Sequence, residues 1–210
     1  MNIIIANQKG GAGKSTHCIL LANYLVLEKK KQVLVLDLDF QSSVKDLWDQ
    51  DRANYADTPP LYEVINKELS EIGEVLQMLQ GIGDDQIILF DLPGYINDNA
   101  LVPVFEQADL VICPFAYDKI TFESTYVFAQ VLRRLNESAP VVFLPNRLKS
   151  SVKYATIEQV NEALGTLGAV APALPDKVAY QRIDTQTIPK DIQEELNASY
   201  EYILEKYSNK

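Results

Sequence analysis

The chain is short of the residues from which metal cages, disulfide frameworks and basic binding surfaces are built. Its two cysteines, Cys18 and Cys113, stand far apart in apolar surroundings, and His17 is the one histidine. Without a C-x-x-C pair this excludes a recognisable zinc or disulfide framework, and it suits a reducing, cytoplasmic setting with both cysteines in the core. Positive charge is scarce as well: 19 lysines and arginines stand against 29 aspartates and glutamates, a net charge of −10. A domain coated in basic charge for nucleic acid is excluded on that balance, whereas a local basic patch is not. No apolar run approaches the roughly 18 residues of a membrane span, and no signal peptide precedes the first apolar run. Internal repeats and long linkers are missing too. The expectation is therefore one domain over residues 1–210, with no N-terminal helix-turn-helix domain.

What is present begins with Ile3-Ile4-Ile5-Ala6, followed by Lys9-Gly10-Gly11-Ala12-Gly13-Lys14-Ser15-Thr16. A β-type run, a glycine-rich turn and a Gly-Lys-Ser opening an apolar-periodic helix form the context of a phosphate-binding loop. Glycines let successive N–H groups point inward as an anion nest at a helix N-terminus. In such a loop Lys14 reaches the β/γ-phosphates and the Ser15 hydroxyl ligates Mg²⁺. The ordinary pattern wants glycine where Gln8 stands; here a second lysine, Lys9, opens the loop instead.

Two further apolar runs end in acids. Val33–Leu36 leads into Asp37-Leu38-Asp39-Phe40-Gln41, and Ile87–Phe90 leads into Asp91-Leu92-Pro93-Gly94. Ligands of open α/β sheets bind beyond the carboxyl ends of the strands, so acids there invite a functional reading. Alternation predicts that Asp37 and Asp39 both face the phosphate loop. Asp91 has the position of the Walker B acid that holds Mg²⁺. Apolar runs also occur at Ala108–Pro114, with Pro114 as a strand terminator, at Pro140–Leu144 and at Ala169–Pro172. Helical spacing is seen over Thr16–Leu27, Phe122–Leu135, Ser151–Leu164 and Pro189–Lys206, and Leu61–Leu79 reads as one or two helices split near Gly73. Strands alternating with helices predict a doubly wound, mostly parallel α/β sheet with helices on both faces.

Lys9-Gly10-Gly11-Ala12-Gly13-Lys14-Ser15 resembles the deviant Walker A motif of the ParA/MinD/Soj ATPases, and the acidic strand ends follow in that family's order. The size of the chain is most like the short, ParF-like partition proteins and the ParA-like proteins of conjugative elements. The resemblance implies a P-loop ATPase, slow and partner-stimulated, whose ATP-bound homodimer serves the partition of DNA. It implies ATP and Mg²⁺ as cofactors, with Lys9, Lys14 and Asp39 as catalytic residues. Lys9 would reach the partner subunit's phosphates, and Asp39 would position the attacking water near a magnesium held by Ser15, Asp39 and Asp91. Asn146, ending the Pro140–Leu144 run, matches the position that contacts adenine. The guanine signature N-K-x-D lacks its aspartate in Asn146-Arg147-Leu148-Lys149, which favours ATP. Phe40 and Gly94 replace prolines of the family pattern. A ParB-type centromere-binding partner is implied, and non-specific DNA binding would fall to Arg147, Lys149, Lys153, Lys177 and Arg182, which are scattered among acids.

Three alternatives remain at this point. A MinD-like positioning ATPase needs a basic amphipathic C-terminal helix on lipid, but the tail carries Glu194, Glu195, Glu201 and Glu205. A bacterial tyrosine kinase-like protein is suggested by Tyr200, Tyr202 and Tyr207. An iron–sulfur reductase ATPase would need better-placed thiolates than Cys18 and Cys113.

Overall fold

The computed structural model describes residues 1–81, 83, 85–94, 99–149, 151 and 156–207. Its strands are β1 (Asn2–Ile5), β2 (Gln32–Asp37), β3 (Glu63–Asn66), β4 (Gln86–Asp91), β5 (Leu110–Phe115), β6 (Val141–Pro145) and β7 (Ala169–Val170). They pair in parallel as one seven-stranded sheet in the order β3-β2-β4-β1-β5-β6-β7. Because successive side chains of a strand leave on opposite faces, Ile3 and Ile5 pack on one side and Ile4 on the other. Val33 and Val35 are likewise split from Leu34 and Leu36, and Ile87 and Leu89 from Ile88 and Phe90. Helices α1 (Lys14–Leu27), α2 (Ser43–Asn54) and α7 (Lys190–Tyr207) cover the first face. The second is covered by α3 (Ile72–Leu79), α4 (Val102–Glu106), α5 (Lys119–Leu135) and α6 (Ile157–Gly165). Strands with both faces covered must be apolar throughout, which is why their sequences run continuously hydrophobic. Each fully buried isoleucine or leucine in these layers contributes roughly 1.5–3 kcal/mol.

Helix α1 is buried from His17 to Leu25, so it is the central helix of its layer. It stops before Lys30, whose φ of 56° a right-handed helix cannot accommodate; the lysine run is a solvated helix end. Helix α7 spends its stripe of Ile192, Leu196, Tyr200 and Ile203 on the core, and the Tyr200 hydroxyl lies 2.9 Å from His17 Nδ1. That apolar face is thus closed to a lipid surface, and Tyr200 is no free tail tyrosine. The side chain of Tyr207, and Lys153 altogether, lie outside the described residues.

The structure and the sequence reading part at several points along the chain. Residues 63–66, expected to be helical, form β3, because Leu34–Asp37 offer a free strand edge and their pairing overrides a weak local preference. Pro114 lies inside β5 rather than ending it. Its carbonyl, and that of Ile112, face β1, so its missing N–H points past the end of that strand and costs no ladder bond. A short segment, a turn at 99–101 and then α4, carried no recognisable periodicity, yet its Leu101, Val104 and Phe105 are buried under the second layer. Helix α6 spans Ile157–Gly165, and the residues 152–155 assigned to its start lie outside the described ones.

Gly168 marks the closest approach of the last crossover: a Cβ there would sit 2.2 Å from the Val141 carbonyl oxygen and 3.1 Å from Phe143 Cε2. Gly168→Ala is expected to cost about 2 kcal/mol, a fall of several degrees in melting temperature by differential scanning calorimetry.

Candidate functional site

Immediately after β1 the chain must turn without a partner strand, and the glycines make this possible. Gly11 has φ 74° and Gly13 φ 98°, a region that L side chains rarely enter. At Gly13 a side chain is also excluded by space, since a Cβ would meet Asn146 Nδ2 at 2.4 Å. Helix α1 begins at Lys14 with no side-chain cap and no acid in its first turn, which leaves its leading N–H groups to an anion.

Side chains from below hold this loop. Asn7, fully buried, donates through Nδ2 to the Pro114 carbonyl and to Thr125 Oγ1, both at 2.8 Å, and accepts the Lys9 amide at 3.0 Å. Asn146 donates to the Ala12 carbonyl at 3.1 Å and accepts the Arg147 amide at 2.8 Å. Gly94 closes the third side: a Cβ there would stand 3.3 Å from Gly10 Cα and 3.5 Å from Lys14 Nζ. Glycine in place of the family's proline therefore permits a tight approach of the strand-end turn to the loop.

Above the loop lies a cavity of about 860 Å³, in the range of small-molecule sites. Gly10, Gly11, Gly13, Lys14, Ser15 and Thr16 form its floor, and Asp39 stands on its wall. Lys14 is 7% exposed; burial lowers its pKa, while the charges of Asp91 and Asp39 raise it. Asp91 is fully buried and neither carboxylate oxygen makes a hydrogen bond of ordinary geometry. Burial pushes its pKa up to about 7; the Ser15 hydroxyl and Lys14 pull down, and Asp37 and Asp39 push up. A buried carboxylate without a partner, beside a hydroxyl and an ammonium, is the residue set a magnesium ion would satisfy. That ion takes one or two protein oxygens and completes its shell with water and phosphate. Among the described residues no cluster of three His, Cys, Asp or Glu side chains could cage a metal by itself.

Asp37 does not share the cavity with Asp39. It is fully buried, and its Oδ2 accepts the Val44 and Lys45 amides at 3.0 Å each, so it caps α2. The strand has ended by Leu38, so the alternation that predicted a shared face no longer applies. Burial raises the Asp37 pKa, opposed by these backbone hydrogen bonds.

The structure thus brings Lys14, Ser15, Thr16, Asp39 and Asp91 together around the loop. Asn146 lies beneath it, bracing Ala12, whereas its neighbour Arg147 lines the cavity at φ 58°. The segment 174–177 runs alongside 146–149, joined by the amides of Leu148 and Asp176. Of the candidate DNA residues, Lys149 lies 4.0 Å from Asp176 and Lys177 pairs with Glu195, so neither presents bare charge. Sequence reading missed Leu69, Asn99 and Ser43 on the cavity wall; they carry no motif and arrive there only through the crossovers. Asn7 was missed as well, though it stands two residues before the loop lysine, in range of a local side-chain turn.

Residues 3–189 match the family described as CobQ/CobB/MinD/ParA nucleotide binding domain. Over 112 residues, 53% of this chain, the sequence is 30% identical to Maintenance of carboxysome distribution protein A of Gloeobacter kilaueensis; the match spans 47%, about half, of that relative. The fold is similar to that of a plasmid partition protein from Borrelia burgdorferi B31 bound to AMPPNP, with a TM-score of 0.75 and 22% identity over 98% of each chain. It is equally similar to a complex of Cyanothece McdA with ATP, at a TM-score of 0.75 and 18% identity over 100% of this chain and 96% of the other.

Two outcomes test the site. Gly13→Ala should weaken binding of a fluorescent ATP analogue at least about tenfold, since both φ and space forbid the methyl group. Asp91 has a folded pKa raised above its unfolded value, so its contribution is full below about pH 4 and is lost as pH rises through about 7. Relative to Asp91→Asn, the ligand-free protein should lose on the order of 4 kcal/mol of stability across that window, measured by urea unfolding.

Proposed function

The chain belongs to the CobQ/CobB/MinD/ParA nucleotide-binding family, and from that premise we propose that it is a Mg²⁺-dependent ATPase whose ATP-bound dimer acts in DNA partition. The observation that carries this reading is the buried Asp91 carboxylate, without a hydrogen bond of ordinary geometry, beside Ser15 and Lys14, which line the cavity of about 860 Å³.

In this reading the loop amides and the α1 N-terminus bind the phosphates, and Lys14, already desolvated, neutralises charge that grows on the transferring group. Ser15 and Asp91 would hold magnesium, which would supply further charge neutralisation. Asp39, half-buried on the cavity wall, accepts a hydrogen bond from the attacking water and orients it in line. The adenine lies against the Asn146–Arg147 turn, where Asn146 braces Ala12 and Arg147 lines the cavity. The exposed Lys9 makes no hydrogen bond or ion pair through its side chain among the described residues. It extends to the phosphates bound by a second copy, so that nucleotide is sandwiched between subunits. Turnover is slow and is stimulated by a ParB-type partner, because the ATP state is the signal that hydrolysis ends. DNA is held non-specifically and weakly by this acidic protein, with a strong dependence on salt. The lipid-docking alternative loses support because the apolar face of α7 lies in the core.

Lys9→Ala should retain ATP binding within about twofold and lose ATP-dependent dimerisation by analytical ultracentrifugation; persistent dimers would refute the role of Lys9. Asp39→Ala should trap an ATP-bound dimer and slow phosphate release at least about a hundredfold, against the 10²–10⁴-fold typical of a positioned acid–base group. Unchanged hydrolysis would remove Asp39 from the mechanism. Co-sedimentation with DNA should appear with ATP at low salt and vanish with ADP; equal binding in both states would count against partition.

A further inference from the structure

A lysine that must meet a phosphate on another subunit carries four rotatable carbons and nothing of its own to steady it. Its reach is useful only if its Cα is held still. In this fold the Lys9 amide is held by the side chain of Asn7, at 3.0 Å. Asn7 is fully buried, and every polar atom of its carboxamide is engaged: Oδ1 by Lys9, and the two Nδ2 hydrogens by the Pro114 carbonyl and Thr125 Oγ1.

Thr125 is equally buried and sits in the middle of α5, on the far side of β5 from the loop's own helix. Its hydroxyl has one hydrogen and gives it to the Thr121 carbonyl at 2.7 Å, which leaves the oxygen free to accept from Asn7. The polarity of the relay is therefore set: Thr125 to Thr121, Asn7 to Thr125, Lys9 to Asn7. A valine of the same shape at 125 cannot accept that hydrogen bond, whereas a serine can.

We propose that Asn7 and Thr125 are positioning residues for Lys9, a buried brace that ties the subunit-bridging lysine to α5 rather than to the phosphate loop. The proposal rests on the reading of Lys9 as the residue that reaches a second copy. It separates two functions of one motif. The Ala12–Lys14 end of the loop is held by Asn146 at the Ala12 carbonyl and by the start of α1, and serves the subunit's own nucleotide. Lys9 is held by Asn7 and Thr125 and serves the partner's. Loss of the brace should leave ATP binding by the monomer intact and weaken assembly.

The test compares Thr125→Val, Thr125→Ser, Lys9→Ala and the parent chain at a temperature well below the melting point of each. Binding of a fluorescent ATP analogue is measured at monomeric concentrations, and ATP-dependent dimerisation by analytical ultracentrifugation. Thr125→Val should bind the analogue within about twofold of the parent and dimerise about tenfold more weakly. Thr125→Ser should dimerise like the parent. A merely structural role for Thr125 would move analogue binding and dimerisation together, and that result, or unaltered dimerisation by Thr125→Val, overturns the proposal. Should Thr125→Val not fold, Thr125→Ala deletes the same oxygen at the cost of a small void and is held to the same two outcomes. Dimerisation retained by Lys9→Ala would instead strike the underlying reading of Lys9, so the two failures are told apart.

Discussion

The Asp91 carboxylate is buried beside the Lys14 ammonium without a hydrogen bond of its own, and the upper rim of the sheet is arranged around that imbalance. Burial alone would drive a proton onto Asp91 and off Lys14, and each holds the other's charge in part. Such a pair is costly to an empty protein, since removing two charges from water is repaid only when every remaining lone pair is met. A ligand with many oxygens, together with a cation, would meet them. The site is thus built unsatisfied, and binding would complete it.

The rest of the rim keeps this unsatisfied centre from collapsing. Asp37, which could have joined the other acids, is committed to the Val44 and Lys45 amides and anchors α2 instead. Asn7 and Asn146 press on the loop from either flank, one at Lys9 and one at Ala12. Side-chain amides suit this task because they donate and accept at once without adding charge to a crowded electrostatic field. Gly94 lets the β4 turn close against Gly10 and Lys14. The only histidine, His17, is drawn into the same frame: buried next to Asn146 and Tyr200, it is kept neutral with its pKa lowered to about 4.

Much of this was legible in the chain. Continuous apolar runs stated that strands were buried on both faces, and the loop motif stated where an anion would sit. The acids ending the second and fourth strands could be placed at the rim because parallel strands deliver their carboxyl ends to one edge. Asp39 and Asp91 do stand beside the loop, yet Asp37 does not, because alternation holds within a strand and fails where the strand ends. The β3 edge was read as helix because pairing with Leu34–Asp37, not local preference, decides it.

The sequence by itself determined the layers, the parallel sheet and the phosphate loop, since each follows from local periodicity and from backbone angles that only glycine adopts cheaply. Tertiary structure alone decided which polar groups are paired and which are left wanting. Asn7 meets Thr125 across 118 residues, and Asn146 meets Ala12 across 134. No local pattern encodes such contacts, because a hydrogen bond depends on where two segments meet in space and not on how far apart they lie in the chain.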